Sequence, residues 1–446
     1  MRITAAIIGA AGAVALTLSY LIATSSYNLQ GYVVVGLAAA LILVVFALPR
    51  IAATEGKLVA YVLTLGILAK TLGSRVQLNW ALGVKQGVGD VSGYHSAGVE
   101  LSDALRHLDL APVFTALADQ GTGFPDVLTG LTYTLIGPTL YGGALAFALM
   151  AVFGAFLYYR AFRTAFPGGN KVLYAMLIFL EPSILYWPSL QGKEAPMMVL
   201  IGLFALGLAK ALKEGNFKGY IFIVLGIIGV TLMRPHIGAM LVMAAGGTFV
   251  LRPIKLTPTS LLTRIVTVVL LLSISVVVVV KAKEFVGLES LSVDAVLATM
   301  SKTLDDATEA GSSYNPPSLT DPLGLPKQII TVFYRPFPWE AHRMVAFILS
   351  LEGMTLLGIT VFQHRAIRRA IFSARKNPYV IFILLYILGF MVAFMAISNF
   401  SILGRQRLMM MPFFFMLLCH PKVAQVVERV LPQRKQPQPR LATQPY

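Results

Sequence analysis

The chain has 446 residues, of which 57% are hydrophobic and only 13% are charged, with a net charge of +16. A soluble domain of this length would carry about a quarter charged residues, so the composition excludes a soluble enzyme and identifies a polytopic membrane chain. The apolar runs are helix-length and do not alternate, which argues for an all-α membrane protein and against a β-barrel, and the single cysteine, Cys419, excludes an intrachain disulfide.

Length and hydropathy predict about twelve transmembrane helices. They are expected near 4–24, 31–49, 58–73, 140–159, 172–187, 195–212, 219–233, 236–251, 263–280, 344–362, 379–398 and 406–420. The third is short and contains Lys70, and the last contains Pro412. The first follows only Arg2 and is trailed by no small-x-small cleavage site, so it is expected to stay as an uncleaved anchor.

Basic residues gather in alternate loops. Arg50 and Lys57, then Arg160, Arg163 and Lys171, then Lys210, Lys213 and Lys218 mark three of them. Arg252, Lys255 and Arg264, and then Arg365, Arg368, Arg369, Arg375 and Lys376, mark two more. The positive-inside rule places these loops and both termini in the cytoplasm. The positive charge thus reports topology and contact with anionic membrane lipids, with no nucleic-acid partner. Residues 1–420 are expected to form a single transmembrane domain, and 421–446 a basic, Pro/Gln-rich cytoplasmic tail without fixed structure.

Two long segments, 74–139 and 282–341, then fall on the outer face. Leu101, Leu105 and Leu108 recur at helical spacing in the first, and Val293, Leu297, Met300 and Leu304 in the second. Both patterns predict short amphipathic helices lying in the interface. The Pro-rich stretch from Asp305 to Pro326 reads as loop.

Five polar clusters interrupt the apolar chain, each at the outer end of a predicted span. Asp90 sits in a Gly-rich stretch that continues into Tyr94 and His95. There a carboxylate either takes the proton of a sugar hydroxyl or holds a divalent cation beside a phosphate. Tyr94 and His95 are suited to hydrogen-bond or stack on a sugar. Trp187 leads into Lys193 and Glu194, joining an interfacial indole to a cation and an acid. Arg234-Pro-His236 joins two spans with almost no loop. Arg335-Pro-Phe-Pro-Trp339-Glu340 enters span ten, and Arg405 and Arg407 precede span twelve. Arginine pairs well with phosphate oxygens, and several on one face suit an anionic group. Glu181, Glu352 and Lys70 lie inside spans, where an ionisable group needs a partner or a cavity. No Cys-rich or His-Glu-x-x-His metal site is present.

An outer-face Asp followed by interfacial helices resembles the GT-C superfamily of integral membrane glycosyltransferases. The runs Pro182–Glu194, Arg335–Glu340 and Gly404–Arg407 ahead of Met411-Pro412 resemble motifs of bacterial polysaccharide-assembly membrane proteins. The twelve spans, with a long outer loop between the ninth and tenth, look like O-antigen polymerases and ligases. The resemblance implies a polyprenyl phosphate or diphosphate sugar donor and a glycan or lipid-linked acceptor at the outer face of a bacterial cytoplasmic membrane. It implies Asp90 as the carboxylate, with Glu194 and Glu340 as further acids. Some of Lys193, Arg234, Arg335, Arg405 and Arg407 would hold the phosphate, and Tyr94, His95, Trp187, His236 and Trp339 would complete the substrate site. Buried Glu181, Lys70 and Glu352 suit a second reading, a transporter or flippase of a lipid-linked glycan. A structural partner of an envelope complex is a third.

Overall fold

The computed structural model describes residues 27–84, 90–119, 121–215, 217–253, 280, 314, 324–341, 344–394 and 399–421. Among these the chain is helical throughout, with no strand. The expected spans 4–24 and 263–280 (save position 280), the amphipathic pattern at 293–304, most of the loop 305–326 and the tail from 422 onward lie outside the described residues.

Helix α1 (Tyr27–Ile42) continues through a π-helical turn, Leu43–Ala47, into α2 (Leu48–Glu55) as one apolar rod. It leaves Leu41, Val44, Val45 and Phe46 exposed, a surface suited to lipid. Gly56, at φ 95°, reverses the chain into α3 (Lys57–Val84). Three helices follow: α4 (Asp90–Arg106), α5 (Ala111–Ala118) and α6 (Gly123–Ile136). Next come α7 (Leu140–Ala165), α8 (Lys171–Leu180) and α9 (Pro182–Tyr186), then a 3-10 turn at Trp187–Ser189. Helices α10 (Glu194–Lys213), α11 (Phe217–Met233) and α12 (Pro235–Leu251) complete the first half. The remainder holds α13 (Gly324–Tyr334), a 3-10 turn at Pro338–Glu340, α14 (Met344–Phe362), α15 (His364–Ser373), α16 (Pro378–Ala393), α17 (Phe400–Arg407) and α18 (Met411–Leu418).

Among the described residues, Tyr27–Glu55, Lys57–Gly83, Leu140–Ala165 and Glu194–Lys213 are long and apolar enough to cross a membrane. Two bent pairs, α8 with the Pro182–Ser189 segment and α14 with α15, raise that to six. Proline at the first turn starts α9, α12, α16 and α18, where its missing N–H costs nothing. Asn170 and Asn377 cap α8 and α16 through their side-chain oxygens. In lipid the helices gain little from the hydrophobic effect, and close packing holds them together. Gly154 of α7 illustrates this: a Cβ there would lie 2.6 Å from the Met198 carbonyl carbon of α10. The aromatic centre joins Tyr158, Phe382, Tyr386 and Phe413 edge to face.

The bundle has two unlike ends. At one, Arg163 pairs with Glu55 at 2.8 Å, Asn377 bonds Ala165 O at 3.1 Å, and Asn170 N bonds Cys419 O at 2.9 Å. The described members of the basic loops lie at this end, because each follows or precedes a helix that reaches it. The other end carries the five polar clusters.

Several expected boundaries move. The third span runs on to Val84, so its polar second half is helix where loop was expected. Asp90 is the first residue of α4, instead of preceding it in a Gly-rich turn. That helix stops at Arg106, and Leu108 is exposed with φ 58°, outside the amphipathic pattern. The fifth span breaks by 50° between Leu180 and Pro182, and the span expected at 406–420 is two short helices joined by a turn.

Candidate functional site

Three acids sit in the first turns of three helices, where the helix dipole favours negative charge: Asp90 of α4, Asp126 of α6 and Glu194 of α10. Glu194 is buried and is the anchor of the cluster. Its Oε1 accepts from Arg234 Nη2 at 2.7 Å and from Arg405 Nε at 2.5 Å, and its Oε2 accepts from Arg405 Nη2 at 3.0 Å. Arg405 also reaches Asp90 Oδ2 with Nη1 at 3.2 Å. Arg234, at the joint between α11 and α12, donates to Gln406 as well. A side chain from α17 thus ties together the starts of α4 and α10.

The two acids are not equivalent. The Glu194 side chain is 6% exposed and shared by two guanidiniums; that of Asp90 is 64% exposed with one long contact. Burial opposes the charge on Arg405, but Glu194 and Asp90 outweigh it and hold the guanidinium above the ordinary arginine range. Burial, then neighbouring Arg234, keeps the Lys193 ammonium below the usual lysine range, while Glu194 pulls the other way. Asp126, which no sequence pattern singled out, is pushed up to about 6 by burial and by Asp119, with Lys193 opposing.

A cleft of about 180 Å³ opens beside this cluster. Asp90, Glu194 and Arg405 supply its charged lining. Gln77 and Trp80 from α3, with Tyr186, Trp187 and Gln191 beyond the helix break, supply half of the rest. Of the substrate-contact candidates, Trp187 lines the cleft. Tyr94 is buried beside Glu194, and burial together with Asp90 keeps its hydroxyl protonated. His95 is half-buried, its Nδ1 2.7 Å from Tyr133 Oη. Gln191 Nε2 donates to that same hydroxyl at 3.1 Å. His236 is half-buried at the start of α12 against Phe394.

The five cations do not surround one pocket. Arg335 turns to Glu340, which accepts from its Nε at 2.9 Å and from its Nη2 at 2.5 Å, and also from Phe337 N at 2.8 Å. Burial would raise the Glu340 carboxyl, but the Arg335 hydrogen bonds hold it below the usual range. The guanidinium lies over the Tyr314 and Phe400 rings at 4.9 and 5.1 Å. Arg407, 1% exposed, donates from Nη1 to Arg335 O at 2.9 Å and approaches Glu352 at 3.5 Å. Glu340 therefore lies outside the cleft lining. Trp339 is exposed and stacks on Phe337. The five clusters do form one connected assembly: residues 405–407 touch Asp90, Glu194, Arg234 and Arg335 in turn.

Beneath the second cluster a polar network follows the broken helix. Glu181 caps α9 by accepting from Ile184 N at 2.7 Å, and Ser183 Oγ donates to Glu352 at 2.7 Å. Lys70 Nζ donates to the freed carbonyls of Ile184 and Leu185 at 2.6 and 3.1 Å. Glu181 and Lys70 thus satisfy backbone groups that the break leaves open. Among the described residues, no group of three His, Cys, Asp or Glu side chains gathers as metal ligands. No protein-family model, no curated protein and no solved structure matches the chain.

Proposed function

We propose that the chain is a bacterial cytoplasmic-membrane glycosyltransferase or polysaccharide polymerase. It moves a sugar or glycan from a polyprenyl phosphate or diphosphate donor to an acceptor at the outer face. In this reading it spans the membrane about twelve times, with both termini in the cytoplasm, and is GT-C-like. The observation that carries the reading is an exposed carboxylate and a shared arginine at the mouth of an aromatic-lined cleft.

Asp90 is the base. Of the two acids that line the cleft it is the less committed to other partners. The acceptor hydroxyl oxygen attacks C1 of the donor sugar while Asp90 takes the hydroxyl proton. The bond from C1 to the phosphate oxygen breaks, and its electron pair leaves with the phosphate. Arg405 stabilises the charge that develops there, with Lys193 and Arg234 behind it. Arg405 holds Asp90 by a single 3.2 Å contact, so an arriving phosphate competes for Nη1 and frees the base. Glu194 keeps Arg405 oriented through the exchange. Arg405 also puts a fixed positive charge where a divalent cation beside Asp90 would sit, which favours the base over the metal-contact role.

The broken helix and its buried Lys70, Glu181, Glu352 and Arg407 favour transport of a lipid-linked glycan as the second reading. Asp90→Asn cells separate the two. A transferase block leaves lipid-linked glycan in the outer leaflet, open to a membrane-impermeant glycosidase. A transport block leaves it protected inside, and that result would replace the first reading with the second.

A further inference from the structure

Between Gly353 and Pro421 the sequence holds no aspartate or glutamate, yet Arg365, Arg368, Arg369, Arg375 and Lys376 crowd into residues 365–376. The first three lie on α15, at the end of the bundle opposite the cleft. Ser373 Oγ of that helix lies 3.0 Å from His420 Nε2, next to the Cys419 carbonyl that Asn170 N bonds. Among the described residues, Arg365, Arg368, Arg375 and Lys376 are exposed and pair with no acid.

The fold turns α15 away from the line of α14. With 19 residues, α14 is about 28 Å long at 1.5 Å per residue, enough by itself for a hydrocarbon core of about 30 Å. The chain then bends by 65° into α15. Arginine is expensive in hydrocarbon, so a helix carrying three of them leaves the core at this bend. Ala366 and Ala370, one turn apart, are buried against the bundle. The outer face carries Arg365, Arg368 and Phe372 at i, i+3 and i+7, all exposed. The Arg368 guanidinium lies 5.6 Å from the centre of the Phe372 ring. Phe372 is 74% exposed, and Phe362, at the bend, 86%. Exposed Leu351, Met354 and Val361 continue this apolar surface along α14.

We infer that the outer face of α15 docks on anionic phospholipid, with the helix lying in the membrane interface. The phenylalanines sit at the top of the acyl chains, and the arginines reach headgroup phosphates, to which a guanidinium offers paired donors. A soluble acidic partner would match the charge but not the exposed phenylalanines beside it. A bilayer surface supplies phosphate and hydrocarbon together, at the two levels this face presents. The contact is separate from the cleft and does not depend on the chemistry proposed there.

The test uses the full chain in non-ionic detergent micelles, with a fluorophore on Phe372→Cys; the native Cys419 is buried. It is titrated with phosphatidylglycerol or phosphatidylcholine carrying a nitroxide on the acyl chain, so that quenching reports binding at this face. Phosphatidylglycerol should quench at far lower concentration than phosphatidylcholine. A basic side chain at an anionic surface contributes about 1 kcal/mol, about fivefold in affinity. Adding Arg365→Gln and Arg368→Gln should therefore weaken phosphatidylglycerol binding about thirtyfold. Arg50→Gln with Lys57→Gln removes two exposed charges from α2 and α3 at the same end, and should leave the binding nearly unchanged. Equal quenching by the two lipids, or an equal loss in the control pair, would overturn the docking surface. So would a label quenched by aqueous iodide and by neither lipid, which marks a face for a soluble partner. Displacement of the lipid by an equal concentration of inorganic phosphate would make it a free-anion site instead.

Discussion

At the residue scale, partner number separates the acids. Asp90→Asn preserves the shape and removes the proposed base, so the transfer rate should fall by a factor of about 10²–10⁴ at unchanged protein level. Glu194→Gln does something else. It leaves the buried Arg234 and the half-buried Arg405 around a neutral amide, and breaking the buried Arg234 pair this way costs about 3–5 kcal/mol, readable as a loss of folded protein in a thermal scan. A rate loss with no stability loss in Glu194→Gln would show that this acid belongs to the chemistry. Asp126 offers a pH signature. Its folded pKa is raised to about 6 from an ordinary 3.8, so the folded state binds the proton more tightly between those values. Stability therefore falls as pH rises through that window. Asp126→Asn should raise the melting temperature at about pH 7.5 and leave it unchanged near about pH 3.5, with a gain under about 1 kcal/mol because the group is only half-buried and screened. A flat difference across pH would remove this role. The sequence displayed Asp90, Glu194 and the arginines because charged residues are conspicuous in apolar surroundings. It hid Gln77 and Gln191, because an amide near a span end is unremarkable until its neighbours are known.

At the element scale, the polar half of α3 departs furthest from what hydropathy predicts. Ser74, Arg75, Gln77 and Asn79 look like loop by hydropathy, yet the helix continues because nothing in the run breaks it before Val84. Four cleft residues, Gln77, Trp80, Ala81 and Leu82, lie on that extension. The break at Glu181-Pro182 was visible as an acid before a proline, but the role of Glu181 as a helix cap depends on Ile184 N, which only the fold brings into place. Short helices such as α17 carry too few residues for a periodic signal, although Arg405 and Arg407 on it connect both charged clusters. Helix packing makes its own prediction. Gly154 meets the α10 backbone closely enough that Gly154→Ala must push α7 and α10 apart, at about 1–3 kcal/mol. Thermal unfolding in detergent measures it, and an unchanged midpoint would mean the two helices tolerate separation.

At the scale of the whole molecule, an apolar, all-helical chain was legible from composition alone, and the gathering of the five clusters at one end followed from counting spans. Their division into a cleft cluster and a second, internally paired cluster was not, because pairing among five arginine and lysine side chains is decided by packing. The same polarity predicts opposite accessibility of the two ends. In intact cells, a cysteine placed at exposed Asp103 should react with an impermeant thiol reagent, and one at exposed Lys376 should not; Cys419 is buried and should not contribute. Equal labelling at both positions would undo the outer-face assignment. Transfer at the cleft is measured most directly with the purified chain in proteoliposomes, a labelled polyprenyl diphosphate glycan and its acceptor. The expected result is label joined to the acceptor, with polyprenyl diphosphate released, and loss of both in Asp90→Asn. Label that crosses the bilayer still attached to its lipid, at equal rates in wild type and Asp90→Asn, would contradict it.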